Sequence, residues 1–167
     1  MPKGRPSTIR DEGNIAYVEL TRGYEATIDK RDIPLVQGYS WRAHILRKGH
    51  VYAARTGDEP RTVVLMHRHL MGAPADVLVD HEDGDGLNNR RGNMRIATPS
   101  QNNMNMSVSS RNLLGIKGVS QQRGGKFSAR IERGTQRVYL GSFRTPEEAS
   151  AAYFGAARIL FGDFAKK

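Results

Sequence analysis

Residues 102–115, NNMNMSVSSRNLLG, are dense in Asn and Ser and show little hydrophobic periodicity, a composition that favours turns and linkers over packed elements. In a chain of 167 residues, such a break leaves two small modules, each with a modest core. Charge divides near the same place. Residues 1–110 carry 15 Lys and Arg against 13 Asp and Glu, whereas residues 111–167 carry 11 against 4. Most of the formal net charge of +9 therefore sits in the last third, the part best suited to hold a polyanion. The expected organisation is a flexible basic leader (1–12), a β-rich region (13–60), a polar-loop module (61–106), a linker (107–114) and a basic module (115–167).

A basic chain points to nucleic acid or an anionic membrane surface. No apolar stretch approaches the roughly 20 residues needed to span a bilayer, and MPKGRPSTIRDEGN at the start lacks the apolar core of a signal peptide. Nucleic acid is the expected partner and a membrane is not. With no cysteine, disulfide scaffolds, thiolate zinc fingers and cysteine nucleophiles are excluded, so any metal must be held by oxygen and imidazole.

IAYVEL (15–20) and YEATI (24–28) alternate apolar and polar residues around a TRG turn, which predicts a hairpin. RDIPLVQGY reads as a single helical turn that Asp32 can cap, with Pro34 near its start. SWRAHI (40–45) and HVYAAR (50–55) read as two more strands. Tyr17, Tyr39, Trp41 and Tyr52 are expected to serve as core rather than as a base-stacking platform. Arg42, Arg47, Lys48 and Arg55 are candidate phosphate contacts. His44, His50 and His69 have no partner motif and are read as surface or packing residues.

Val63–Leu65 is a third strand of this kind, MHRHLM (66–71) a turn of helix, and DVLVDH (76–81) a strand ending on Asp80 and His81. After the loop EDGDGLNN, a short helix is expected near Thr98–Asn103. A carboxylate beside an imidazole at a strand end can hold a hard cation while the imidazole deprotonates a water. An EF-hand reading fails, because a register starting at Asp83 or at Asp80 puts Leu87 or Gly84 at the third oxygen position.

MHRHL (66–70), VDHEDGDGLNN (79–89), NMR (93–95) and ATPSQNN (97–103) resemble, in order and spacing, the HNH endonucleases of the phage and intron-homing branch. The resemblance implies a ββα-metal nuclease module over 61–106. It makes Asp80 a metal ligand and His81 the general base. Asn93 is the middle asparagine that orients the loop and His81. Asn102, rather than its neighbour Asn103, is the second metal ligand, with Mg²⁺ or Mn²⁺ as the cation. Met94 stands where most members have Leu, a volume-conserving change. His67 and Arg68 match an upstream His-Arg pair that either touches phosphate or packs under the site. Glu82, Asp83 and Asp85 are read as loop chemistry.

In the basic module, Phe127, Ala129 and Ile131 alternate with Lys126, Ser128, Arg130 and Glu132. Val138 and Leu140 continue the apolar face, and Arg137 and Tyr139 the polar one. Thr145, Pro146 and Glu148 predict an N-cap, a first-turn proline and a capping-box acid. Ala149, Ala152, Tyr153, Ala156 and Leu160 follow at helical spacing, and Gly162 ends the helix. GVSQQRGGKFSARI, RVYLGSF and TPEEASAAYFGAA resemble the DNA-binding domain of plant APETALA/ethylene-response-factor proteins, over nearly all of 115–165.

That resemblance implies a three-stranded antiparallel sheet on one helix, with the sheet in the DNA major groove. Lys117, Ser120, Gln122, Lys126, Arg130, Glu132, Arg137 and Tyr139 would face DNA, and Arg123 would contact phosphate. Ser120, Gln122 and Glu132 stand where the plant pattern has arginine, so the plant target sequence does not carry over. Together the two resemblances imply an α+β protein and a metal-dependent DNA endonuclease. It would nick one strand per active site, in the cytoplasm of a bacterial or phage-infected host cell, as a monomer or homodimer. The alternative is a non-catalytic DNA-binding regulator with a relic HNH segment; RNA binding has no motif to support it.

Overall fold

The computed structural model describes residues 4–47, 49–59, 61–105, 108 and 112–165. The fold is α+β, with several small sheets and few helices, and its contacts divide it into two compact units, Met1–Ile96 and Ala97–Lys167. Of the expected linker, only 108 and 112–114 fall among the described residues, and Lys48 lies outside them. No described helix is long and apolar enough to cross a membrane.

In the first unit, β1 (Ile9–Glu12), β2 (Ile15–Glu19) and β3 (Glu25–Asp29) form an antiparallel sheet. The hairpin is as expected, but the leader is not loose throughout, because Ile9–Glu12 pairs with β2 from Ile9 opposite Val18 to Glu12 opposite Ile15. The reason lies on both faces: Ile9 packs against the core, and on the exposed face Arg10 lies over its cross-strand partner Tyr17 at 4.6 Å while bonding Glu12 and Glu25. The short helix α1 (Ile33–Val36) follows. Asp32 does not cap it with its side chain; it is buried and turned towards Arg91 instead.

A second sheet pairs β4 (Arg42–Ile45), β5 (Val51–Thr56) and β6 (Val63–Leu65), and α2 (Met66–Met71) leads on from it. Gly72 closes α2 with left-handed backbone at φ 58°. Strands β7 (Leu78–His81) and β8 (Met94–Ala97) make a two-stranded sheet; the pattern around Met94 did not predict β8 as a separate strand. The apolar faces of β2 and β3 (Ala16, Val18, Ala26, Ile28) share one core with Val36, Trp41, Ala53, Met66, Leu70 and Met94. Trp41 is buried there with its indole N–H on Val36 O at 2.9 Å, which is the packing role expected of it.

The second unit opens with α3 (Pro99–Asn105) and continues with β9 (Val119–Gln121), β10 (Phe127–Arg133), β11 (Gln136–Phe143) and α4 (Pro146–Phe161). The sheet order is β11-β10-β9, antiparallel throughout. Val119, Ala129, Ile131, Ala149, Tyr153, Ala157 and Phe161 form the core with Met104. Thr145 Oγ1 accepts from Glu148 N at 3.2 Å, and the Glu148 carboxylate accepts from Arg144 N at 3.0 Å, so both ends of the expected cap are made, one residue upstream for the acid. Gly162, φ 54°, ends α4.

Two positions depart from simple alternation. The register shifts between Ala129 and Arg130, and Val138, opposite Ile131 on the edge strand, is 43% exposed rather than buried. Ser128 is buried although it lies on the polar face, because Ser120 and Ser142 flank it on both neighbouring strands and its hydroxyl meets Ser120 Oγ at 3.0 Å. Gly118 (φ +70°) lies so close to Tyr153 that a Cβ would come within 2.1 Å of the ring, so glycine is required there for both space and backbone conformation.

Candidate functional site

Strand β7 ends on Asp80 and His81, both buried. Alternation along the strand sends these neighbours to opposite faces. Asp80 Oδ2 accepts from Arg95 Nε at 3.0 Å, from the paired strand β8. His81 Nε2 lies 3.2 Å from Asn89 Oδ1. Asn89 is wholly buried and its amide is oriented by its other end: Nδ2 donates to Leu87 O at 3.0 Å, leaving the oxygen for the imidazole. With the amide oxygen facing it, His81 Nε2 is the donor in this hydrogen bond.

Two further rings pack against His81. His67 crosses it edge-on with centroids 4.8 Å apart, and Tyr52 lies 5.9 Å away. Burial lowers the His81 pKa, outweighing the upward pull of the Asn89 bond and of Asp83, Asp80 and Asp85. Burial, with His81 and Arg68 nearby, lowers His67 to about 3. His67 Nδ1 is buried with no hydrogen-bond partner among the described residues. His67 thus packs against the His81 ring. Arg68 donates to the carbonyls of Ala73, Pro74 and Val77 and so holds the segment entering β7.

The acidic loop is braced from within and from below. Asp83 accepts from Asp85 N at 2.8 Å, Asn93 Nδ2 at 2.9 Å and Asn88 Nδ2 at 2.7 Å. Burial acts to raise the Asp83 pKa, but these bonds outweigh it and the net shift is downward. Asn93 also accepts from Asp83 N at 3.0 Å and donates to Asn88 O at 2.8 Å, and its carbonyl takes Glu82 N at 2.8 Å. It therefore grips both flanks of the loop that follows His81.

The β-rich region supplies the floor. Thr27 N donates to Leu87 O at 2.9 Å and Asn89 N to Thr27 O at 2.7 Å. Asp29 accepts from Arg91 N at 2.9 Å, and the Arg91 guanidinium spans Asp32 and Leu70 O. At Gly86 a Cβ would stand 2.4 Å from Val51 O, so only glycine lets the loop lie on β5.

Among the described residues no group of three or more His, Cys, Asp or Glu could hold a metal. Asp80 lies at the end of β7 in the first unit and Asn102 on α3 in the second. Of the other candidates, Arg55 is buried over the Tyr39 ring at 4.2 Å, which removes it from the set of phosphate contacts. His69 packs against Tyr39 and Trp41, with Nε2 2.8 Å from Leu35 O. Tyr52, expected as plain core, is instead part of the His67–His81 cluster.

On the second unit's sheet, Ser120, Arg130, Glu132, Arg137 and Tyr139 are exposed on one face. Arg130 lies over the Tyr139 ring at 5.9 Å, and Arg137 pairs with Glu132 at 2.6 Å. Lys126 and Arg123 are exposed at and before the start of β10, and Gln122 accepts from Ser142 Oγ at 2.9 Å. Lys117 differs: its ammonium donates to Asn103 O at 3.2 Å and to Met104 O.

Sequence reasoning missed Asn89, Arg95 and the Arg91–Asp32 pair. Asn89 and Arg95 lie inside the quoted motifs, so motif membership was a usable signal. Tyr52 and Asp32 had none, since their partners are distant in the chain.

No protein-family model matches the chain. An HNH endonuclease of Acanthamoeba polyphaga mimivirus, itself uncharacterized, is 29% identical over 93% of this chain and 75% of its own length. An ethylene-responsive transcription factor of Arabidopsis thaliana is 32% identical over 52% of this chain and 56% of its own length. Protein 3.8 of Escherichia phage T7 is 32% identical over 56% of this chain and 77% of its own length. With that identity over more than two thirds of the phage protein, the chain belongs to the family of Protein 3.8.

Proposed function

We propose that this protein is a divalent-metal-dependent HNH endonuclease that hydrolyses DNA phosphodiester bonds, with the second unit's sheet binding the major groove. The observation that carries the reading is the buried pair at the end of β7: Asp80 beside a His81 whose tautomer is set by Asn89 and whose charged form is disfavoured by burial. The mimivirus relative's name supports a nuclease at family level.

The donor set fits a hard cation. Asp80 offers a carboxylate and Asn102 an amide oxygen, ligands suited to Mg²⁺ or Mn²⁺, which keep several positions for water and phosphate. Arg95 already neutralises Asp80, so its guanidinium must yield or share the carboxylate when a cation is held. If Asp80 and Asn102 hold a divalent cation, it would supply positive charge to the scissile phosphate and the leaving oxygen.

His81 Nδ1 takes the proton of the attacking water. Asn89 keeps the proton of the other nitrogen in place, and Asn93 holds the loop so that the imidazole does not swing. His67 and Tyr52 close the inner side of the ring against solvent. Ser120, Gln122, Lys126, Arg130, Glu132, Arg137 and Tyr139 read or approach the groove, and Arg123 contacts phosphate. One histidine and one cation per chain cut one strand per visit.

The test is supercoiled plasmid incubated with protein and Mg²⁺ or Mn²⁺. Nicked circles are expected first, with linear product later, and none in chelator. Linear product with no nicked precursor contradicts the nicking step. Binding without any cleavage favours the regulator reading, for which the likeness to a plant transcription factor speaks.

A further inference from the structure

The helix assigned to the nuclease motif, α3, is built into the core of the second unit. Met104 is buried there among Val119, Ala129, Ile131 and Tyr153, and Tyr153 Oη donates to its sulfur at 3.4 Å. Gly134 N, at the turn between β10 and β11, donates to Ser100 Oγ at 3.1 Å. Lys117 donates to the carbonyls of Asn103 and Met104 at the other end of the helix. It is half-buried in the wall of a cavity of about 330 Å³ that Ser100, Asn103, Arg130 and Arg137 also line.

The last carbonyls of a helix have no intrahelical donor and carry the negative end of its dipole. In a seven-residue helix they are a large share of its polar groups. An ammonium placed on two of them satisfies both, whereas the same ammonium turned to a phosphate would leave them open.

We infer that Lys117 is a positioning residue that fastens α3 to the DNA-binding sheet, and not the DNA contact that its place in the sheet motif implies. The inference rests on the reading that α3 delivers Asn102 to the cation. The sheet that grips DNA then also carries the helix that offers Asn102, so the grip sets where that amide oxygen stands.

The test uses the full chain with Lys117→Gln, Lys117→Met, which keeps the apolar stem, and Lys117→Arg, which keeps the donors. Hydrogen exchange is read at the Asn102 amide, bonded to Thr98 O at 2.9 Å. Loss of a charge-assisted bond predicts exchange on the order of tenfold faster in Lys117→Gln and Lys117→Met, and restoration in Lys117→Arg. The dependence of log affinity for mixed-sequence duplex on log salt should keep its slope in all three, whereas losing a phosphate contact would reduce it by about 0.9. Unchanged exchange at Asn102, or a slope reduced by about 0.9 in Lys117→Gln and Lys117→Met, overturns the inference. The exchange readout needs neither cleavage nor DNA, so a protein that fails to cut sinks the nuclease reading without deciding this one.

Discussion

The two units treat polar side chains in opposite ways. In the first, Asp32, His67, Asp80, His81 and Asn89 are buried; in the second, Arg130, Glu132, Arg137 and Tyr139 stand in solvent, and Ser128 is the buried polar residue among those described. Burial favours a partner for each polar group, found here for Asp32, Asp80, His81 and Asn89, and such partners fix donors and charges. Exposure leaves groups free to meet a partner that arrives later. On the proposed function, the first unit would hold the reaction geometry and the second would meet the DNA surface.

The largest expected effect tests the first half of that contrast. Arg91→Ala strands the buried Asp32 carboxylate, which should cost roughly 3 kcal/mol and lower the first unit's unfolding midpoint while hydrogen exchange within residues 97–167 still reports a folded second unit. Simultaneous loss of both would show that the units are one cooperative block. The converse is Gly118→Ala, which drives a Cβ into the Tyr153 ring at a left-handed backbone position. A loss of about 2–3 kcal/mol is expected from overpacking and backbone strain together, confined to residues 97–167 in hydrogen exchange.

A smaller effect follows from His67. Its folded pKa of about 3 lies below the unfolded value of 6.5, so between these values the unfolded chain binds more protons. Its contribution to stability is fully present above pH 6.5 and is lost as pH falls towards 3, with a slope of up to about 1.4 kcal/mol per pH unit. Denaturant midpoints measured across that window should lose this slope in His67→Phe; an unaltered slope would place the acid sensitivity elsewhere. The smallest effect belongs to the exposed pair in the second unit. Glu132→Gln should change stability by no more than about 0.5 kcal/mol, and a larger loss would mean that the sheet's charges are structural.

What could be read in advance followed the same contrast. The C-terminal sheet and helix were legible because Phe127, Ala129 and Ile131 alternate locally and Thr145, Pro146 and Gly162 mark both helix ends. Asp80, His81 and Asn93 were legible only through the motif, since no periodicity singles them out. The floor beneath them was not, because Thr27, Asp29, Asp32 and Tyr52 reach the loop across 29 to 62 positions of chain. Val138 lies opposite Ile131, on the face assigned to it, yet stays exposed because it sits on the edge strand β11, and alternation gives a face but not what covers it. Lys117 escaped because its carbonyl partners belong to α3, across a segment read as a linker.

The most direct measurement of the central claim compares His81→Ala with the natural protein on one labelled duplex, reading affinity and single-turnover cleavage in Mg²⁺ side by side. The account predicts unchanged affinity, since the imidazole belongs to the first unit and is not one of the residues assigned to the reading sheet, with cleavage reduced by about 10²–10⁴-fold through loss of the general base. Cleavage at the natural rate in His81→Ala would contradict it.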